Sequence, residues 1–321
     1  MELNKNLISN ILTQINLKVE SILPSSSGYR NTSIPVITDK GTYNIVIFKR
    51  EKDNKEGLYR ANLVSNYLYS KGFPTRKLVK TLKSSESPSR YICIYNYLEG
   101  KTIPWEMYDM NLLKELGRTM SDMHFLSNDF NQTNILPSIK TESLELLKRM
   151  QKYFSTPGVI EAMKNKLKLK LEREYLNSLE DKIKNVSETS SGVLHMDFVR
   201  GNILFDSDIK PEKIVGIIDW EKVSFGPYVF DIARTLAFLY VDCKYKDDIK
   251  VKKYFLTSGY LKRGKNKNVN LNDLDVLVDF YLFYDICKFL LHNPYESLYQ
   301  NEHFNETIRL AIFHGLVSVV Q

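Results

Sequence analysis

The sequence predicts an α+β chain in two lobes: a small antiparallel β-sheet lobe with one packing helix over residues 1–97, and a larger, mainly helical lobe over residues 98–321. Two patterns and one interruption predict it. Short β-branched and aromatic runs crowd the first third of the chain, and apolar stripes of helical period dominate the rest. A loop-and-hairpin stretch, residues 193–221, breaks the helical part. At 321 residues the chain is long enough to bury a sizeable core in this arrangement.

The elements follow in order. Leu3, Leu7, Ile11 and Ile15 lie four apart and predict an amphipathic helix. Residues 18–23 and 33–38 read as strands joined by a loop of small residues that includes Ser27, Gly28 and Asn31. Such a loop can close its N–H groups on phosphate oxygens, although the residues alone also suit a plain hairpin. A further strand over residues 43–48 ends in Lys49 and Arg50. Residues 56–71 form a helix with Gly72 as its C-terminal stop, and Glu56 is its sole acidic residue. Residues 90–97 read as an edge strand that runs into a linker around residues 95–101.

Past the linker, Leu112, Leu116, Met120 and Met123 mark another helix, with His124 near its end as a structural histidine. Two more helices are expected over residues 141–154 and 157–184. Gly226-Pro227 breaks the chain before a helix over residues 232–240, which Asp231 is placed to cap. The aromatic run that includes Phe280, Tyr281, Phe283 and Tyr284 reads as a buried helix core, with a cation-binding box as the alternative.

Composition excludes several classes. Hydrophobic content of 43% and charged content of 26% are those of an ordinary globular protein. Asp279, Asp285 and Lys288 interrupt the apolar run over residues 276–291, and the run over residues 308–320 is too short to span a bilayer. The N-terminus lacks a charged segment followed by an apolar one, so a cytoplasmic location is expected, without a membrane partner. Cys93, Cys243 and Cys287 have no metal-binding spacing and read as buried thiols. The net charge of +7 does not indicate nucleic acid, because the Lys-rich residues 164–184 also carry Glu172, Glu174, Glu180 and Asp181 on what reads as a solvated helix face. A monomer or weak dimer is expected.

The chemistry is concentrated in VLHMDFVRGNILFDSDIKPEKIVGIIDWE, residues 193–221. It contains His195-x-Asp197-x-x-x-x-Asn202, then a predicted hairpin, then Asp219 at the end of the β-branched run 214–218. Phosphoryl transfer sets oxygen-bearing side chains two jobs. One carboxylate must hold the acceptor hydroxyl and take its proton, while a second carboxylate and an amide oxygen hold Mg2+ on the phosphates. Asp197, Asn202 and Asp219 fit those roles in order. Asp and Asn are also common wherever a chain reverses; the third residue, one hairpin on, makes chance turn residues a poor account of the set.

HMDFVRGNILF, GIIDWE and FGPYVFDIARTL together resemble the aminoglycoside phosphotransferase family and its small-molecule kinase relatives, which share a bilobal protein-kinase-like fold. The resemblance implies ATP and Mg2+ as cofactors and a small-molecule hydroxyl as acceptor. It implies that Asp197 is the base, that Asn202 and Asp219 bind metal, and that His195 and Asp231 support the site. It makes Ser27, Gly28 and Asn31 a phosphate-covering loop, and Lys49 the phosphate-binding lysine. Glu56 is then the local candidate to pair with Lys49, although the family's position for that glutamate falls at Arg60 or Ala61. Tyr95, Asn96, Tyr97 and Leu98 become the segment that reads the adenine edge. Met196 and Trp220-Glu221 depart from the protein-kinase pattern. Choline-, ethanolamine- and homoserine-type kinases are the nearest alternatives, and a non-catalytic nucleotide-binding module is the alternative of another class.

Overall fold

The computed structural model describes residues 5–27, 31–48, 55–83, 91–266 and 268–320. Helix α1 (Lys5–Thr13) lays Ile8, Ile11 and Leu12 against an antiparallel sheet. The sheet comprises β1 (Val19–Ile22), β2 (Ser26–Ser27), β3 (Asn31–Thr38), β4 (Gly41–Phe48), β5 (Leu78–Lys83) and β6 (Tyr91–Asn96). Its order is β1-β3-β4-β6-β5, with β2 on β3. The strand expected at the edge is therefore interior, between β4 and β5. Ile92, Cys93, Ile94 and Tyr95 are all buried, as a continuous apolar run requires when both faces are covered. The edge belongs instead to β5, which the sequence reading leaves unassigned and whose Lys80 and Lys83 are exposed, a common protection of an open edge.

Helix α2 (Lys55–Ser70) ends at Gly72, whose φ of +79° is the left-handed conformation that closes helices at little cost to glycine. The segment after it crosses to the second lobe. Thr75 Oγ1 donates to the Ile217 carbonyl at 2.8 Å and accepts from Trp220 Nε1 at 2.9 Å, while Ile217 N–H donates to the Pro74 carbonyl.

The helical lobe opens with α3 (Met110–Leu126), capped by Asp109, whose carboxylate accepts from the N–H groups of Asn111 and Leu112. Gly117 on α3 is required by a close crossing: a Cβ there would lie 2.0 Å from the Phe255 carbonyl oxygen. After α4 (Ile139–Phe154) the single long helix expected over residues 157–184 is two helices, α5 (Pro157–Lys166) and α6 (Arg173–Lys184), separated by β7 (Leu169–Leu171). Leu169 and Leu171 are buried and Lys170 is exposed, the period-2 pattern of a strand.

Strand β8 (Ser191–Leu194) precedes the loop that carries His195, Asp197 and Asn202, and β9 (Ile203–Phe205) and β10 (Ile214–Ile217) form the expected hairpin. Then β11 (Ser224–Pro227) pairs back on β8. Helices α7 (Val229–Asp242), α8 (Asp248–Lys252), α9 (Leu274–His292) and α10 (Glu302–Phe313) build the base of the lobe. β12 (Val317–Val319) closes on β7. Phe280, Tyr281 and Phe283 are buried in α9 as a helix core. All three cysteines are free and buried. No helix among the described residues is long and apolar enough to cross a membrane.

Candidate active site

The turn from β8 leads into the loop that carries His195, Met196 and Asp197. Met196 has a φ of 62° and Asp219 a φ of 65°, so each cluster of the motif contains one residue held in left-handed backbone. Such conformations cost free energy and persist where surrounding bonds impose them.

Asp231 supplies those bonds. It does not cap α7 as expected: the helix starts at Val229 and its N-cap, Tyr228, makes no side-chain cap. Instead the fully buried carboxylate turns back to the loop. Its Oδ2 accepts from His195 N–H at 2.8 Å and its Oδ1 from Met196 N–H at 2.9 Å. His124 Nε2–H donates to the same Oδ2 at 3.2 Å, and the Tyr260 hydroxyl donates to His124 Nδ1 at 2.7 Å. Burial holds the His124 pKa below the ordinary histidine value, against the opposing pull of Asp231. Asp231→Asn replaces an acceptor oxygen by a donor and leaves a loop N–H unpaired. It should destabilise the protein by about 3 kcal/mol, measured by urea unfolding.

His195 is also buried and neutral, its pKa lowered chiefly by desolvation. Its Nε2–H donates to the Ile218 carbonyl at 3.2 Å, which leaves Nδ1 to accept from the Asp197 N–H. It thereby ties the residue before Asp219 to the residue that carries Asp197. Ile218 N–H also donates to the Asn202 carbonyl at 3.0 Å, so the three motif residues share one backbone network.

The Asp197 carboxylate is bonded on both oxygens. Lys222 Nζ donates to Oδ1 at 2.7 Å, and Asn202 Nδ2 donates to Oδ2 at 3.2 Å and to the Asp197 carbonyl at 3.0 Å. Burial pushes the Asp197 pKa up, but the Lys222 ammonium, with His195 and Arg234 beyond it, outweighs burial and holds the group below the usual carboxylate range. The side chain is ionised at neutral pH.

With its amide nitrogen committed to Asp197, Asn202 is left with Oδ1 as its side-chain acceptor. A hard cation accepts such an oxygen, and Asp219 lies one residue beyond the Ile218 N–H that binds the Asn202 carbonyl. No group of three or more His, Cys, Asp or Glu side chains that could hold a metal occurs among the described residues. The donor set fits Mg2+, which is commonly bound by one or two protein oxygens together with substrate phosphates.

The remaining expected positions divide. Gly28, Lys49 and the Ser27 side chain lie outside the described residues. Asn31 meets the segment after Asp219, its Nδ2 donating to Glu221 Oε1 at 3.2 Å while its Oδ1 is buried without a partner among the described residues. Glu56 points to solvent, its side chain 88% exposed and 3.8 Å from Arg60. In the linker, Tyr95 turns its ring into the core, where its hydroxyl donates to Asn62. The N–H groups of Asn96 and Tyr97 are bonded to the Lys77 and Thr42 carbonyls. Of the four linker N–H groups, that of Leu98 has no partner within the described residues, and its side chain meets the hairpin near Gly216.

The sequence reading misses Lys222, Glu221, and the buried pair of Arg234 with Asp285, whose two bonds measure 2.8 and 2.9 Å. A signal for the pair existed: Asp231 and Arg234 are charges inside the otherwise apolar run of α7, where buried charges require partners. Nothing local marks Lys222, the third residue after Asp219.

Comparison with solved structures finds the same architecture in several enzymes. A microcompartment-associated aminopropanol kinase superimposes with a TM-score of 0.68 at 14% identity, covering 98% of this chain and 99% of that one. The aminoglycoside phosphotransferase APH(2")-IIIa, in complex with GDP and kanamycin, gives 0.62 at 17% identity, with 97% and 99% covered. Spectinomycin phosphotransferase with ADP and spectinomycin gives 0.60 at 14%, with 96% and 95% covered. A search of curated proteins found no match. These likenesses assign the bilobal protein-kinase-like fold. The model of the phosphotransferase enzyme family matches residues 21–249, more than two thirds of the chain. The chain belongs to the phosphotransferase enzyme family, and the network joining Asp197, Asn202 and Asp219 lies within the matched span.

Proposed function

We propose that this phosphotransferase moves the γ-phosphoryl group of ATP, with Mg2+, to a hydroxyl of a small molecule. The observation that carries the reading is the Asp197 carboxylate, ionised and bonded by Lys222 and Asn202. Each carboxylate oxygen has two lone-pair sites, so both bonds leave room for an acceptor O–H. Asp197 orients that hydroxyl and takes its proton as the oxygen–phosphorus bond forms. Asn202 Oδ1 and the Asp219 carboxylate would hold Mg2+, which supplies charge neutralisation on the phosphates. Leu98 N–H is the linker donor left for the adenine edge.

A cavity of about 490 Å3 beside the loop is lined by Val199, Arg200 and Gly201. Of its carboxylates, Glu302 pairs with Lys244, Asp242 with His303 and Glu306 with Arg309, which leaves Glu106 opposite Arg200. The acceptor is a small-molecule alcohol, with aminoglycosides and amino alcohols of the choline or ethanolamine type as the candidates. The test is ADP release from ATP or GTP with Mg2+, screened against aminoglycosides, choline, ethanolamine, homoserine and sugars. Turnover with an amine-bearing alcohol supports the reading. Tight Mg-ATP binding with no turnover for any acceptor would favour a non-catalytic module.

Lys222 gives a separate pH test. Replacing it by Met removes the charge that opposes burial, so the Asp197 pKa should rise. A depressed folded pKa keeps the base ionised, and its contribution to stability present, until the pH falls through that value. In Lys222→Met the acidic limb of the turnover profile should therefore move to higher pH, with turnover at neutral pH falling on the order of tenfold. An unmoved acidic limb would mean that Lys222 does not set the charge of the base.

A further inference from the structure

Asp219 sits at φ 65° and ψ 68°, a left-handed conformation that persists where its neighbours impose it. On one side, Ile218 is fixed at its N–H by the Asn202 carbonyl and at its own carbonyl by His195 Nε2. The flanking residues Ile217 and Trp220 converge instead on a single hydroxyl, that of Thr75, more than 140 residues earlier in the chain.

Thr75 is 1% exposed, and its Oγ1–H donates to the Ile217 carbonyl at 2.8 Å while its Oγ1 accepts from Trp220 Nε1–H at 2.9 Å. A hydroxyl has one proton and two lone pairs, so one acceptor position remains. Ser65 of α2 stands there, its Oγ 3.0 Å from Thr75 Oγ1 and 2.6 Å from the Arg76 carbonyl oxygen, so that its single proton can serve either acceptor. The Pro74 carbonyl accepts from Ile217 N–H at 2.8 Å and holds the same residue by its other backbone group. The indole bound by Thr75 is itself buried, and it meets the His195 ring edge-to-face at 4.5 Å and the Phe73 ring at 6.2 Å between centroids. A change at Thr75 therefore reaches Asp219 from both directions along the chain.

The link also gives α2 a role. Glu56 is the sole acidic residue of residues 56–71, and its side chain is 88% exposed, so α2 brings no carboxylate to the site. What it brings is Ser65.

We propose that Thr75 is the positioning residue of Asp219: its hydroxyl sets the turn over residues 217–220 that aims the Asp219 carboxylate at Mg2+, and Ser65 couples that turn to α2. The proposal rests on the reading of Asp219 as a Mg2+ ligand and is independent of the acceptor. Thr75 acts through Ile217 and Trp220.

The test is calorimetric titration of the full chain with ADP, in EDTA and at a series of Mg2+ concentrations. Mg2+ should tighten ADP binding to the wild type. Thr75→Val keeps the shape of the side chain and removes the hydroxyl, so the Mg2+ concentration that gives half of this gain should rise about fivefold, the order of one hydrogen bond. Affinity for ADP in EDTA should stay unchanged. Thr75→Ser keeps the hydroxyl and should retain the wild-type Mg2+ dependence. Trp220→Phe removes the indole N–H but keeps a ring beside His195; it should shift the dependence in the same direction, and its effect should be non-additive with that of Thr75→Val. Should Thr75→Val fail to fold, Trp220→Phe carries the comparison. A purely structural role would weaken ADP binding equally with and without Mg2+, and that outcome would overturn the proposal, as would an unshifted Mg2+ dependence in both variants. A wild type whose ADP affinity ignores Mg2+ would overturn this proposal and the metal assignment together. Absence of turnover with every acceptor, alongside the expected Mg2+ shift, would count against phosphotransfer alone.

Discussion

Asp197→Asn should lower turnover by a factor on the order of 10² or more while leaving Mg-ATP binding near the wild-type value. The substitution keeps the size and planarity of the side chain but removes the charge that takes the acceptor proton. Lys222 loses its counter-charge at 2.7 Å in the same step. The residues proposed to hold the nucleotide's Mg2+ are others, Asn202 and Asp219, so binding and chemistry should separate. The measurement is steady-state turnover on an acceptor found in the screen, alongside calorimetry with Mg-ATP. Turnover at the wild-type level would remove Asp197 from the role of base.

Asp219 should fail in the opposite way, through the nucleotide. Its carboxylate is the negatively charged oxygen donor proposed, together with Asn202, to hold Mg2+ on the phosphates. Asp219→Ala should abolish the part of ATP affinity that depends on Mg2+. The backbone complicates that variant, because a φ of 65° is far less comfortable for Ala than for Asp or Asn. Asp219→Asn keeps a residue type that tolerates this conformation and removes only the charge, so both variants should lose the Mg2+ dependence. Equal Mg-ATP affinity in the wild type and the Asn variant would show that the cation is held elsewhere.

Much of this site was legible because its chemistry is compressed into one covalent stretch. His195, Asp197 and Asn202 lie within eight residues, and a β-branched hairpin fixes how far away Asp219 can be. The helical stripes were legible for a similar reason, since a period of 3.6 is a local property. Boundaries failed where a pattern changed within a segment. The Lys-rich residues 157–184 looked helical throughout, and the alternation Leu169-Lys170-Leu171 becomes a strand only because β12 comes to lie beside it. The interior place of β6 likewise depends on β5, a lysine-bearing strand that no apolar alternation announces.

The sequence by itself determined the family, the two-lobed α+β plan, and the order base, amide ligand, acidic ligand along the chain. Tertiary structure decided what charge Asp197 carries and which groups hold it. Asp231 acts on a loop 36 residues away, and the Arg234 pair with Asp285 joins residues 51 apart. Whether an Asp in the first turn caps its own helix or reaches back to a loop depends on what is packed above it. The sequence of α7 is the same in either case. The ionised state of Asp197 follows the same rule, because burial and the Lys222 ammonium act on it through space. Spacing along a chain records which groups can meet, while desolvation and charge pairing are set by the neighbours that folding delivers.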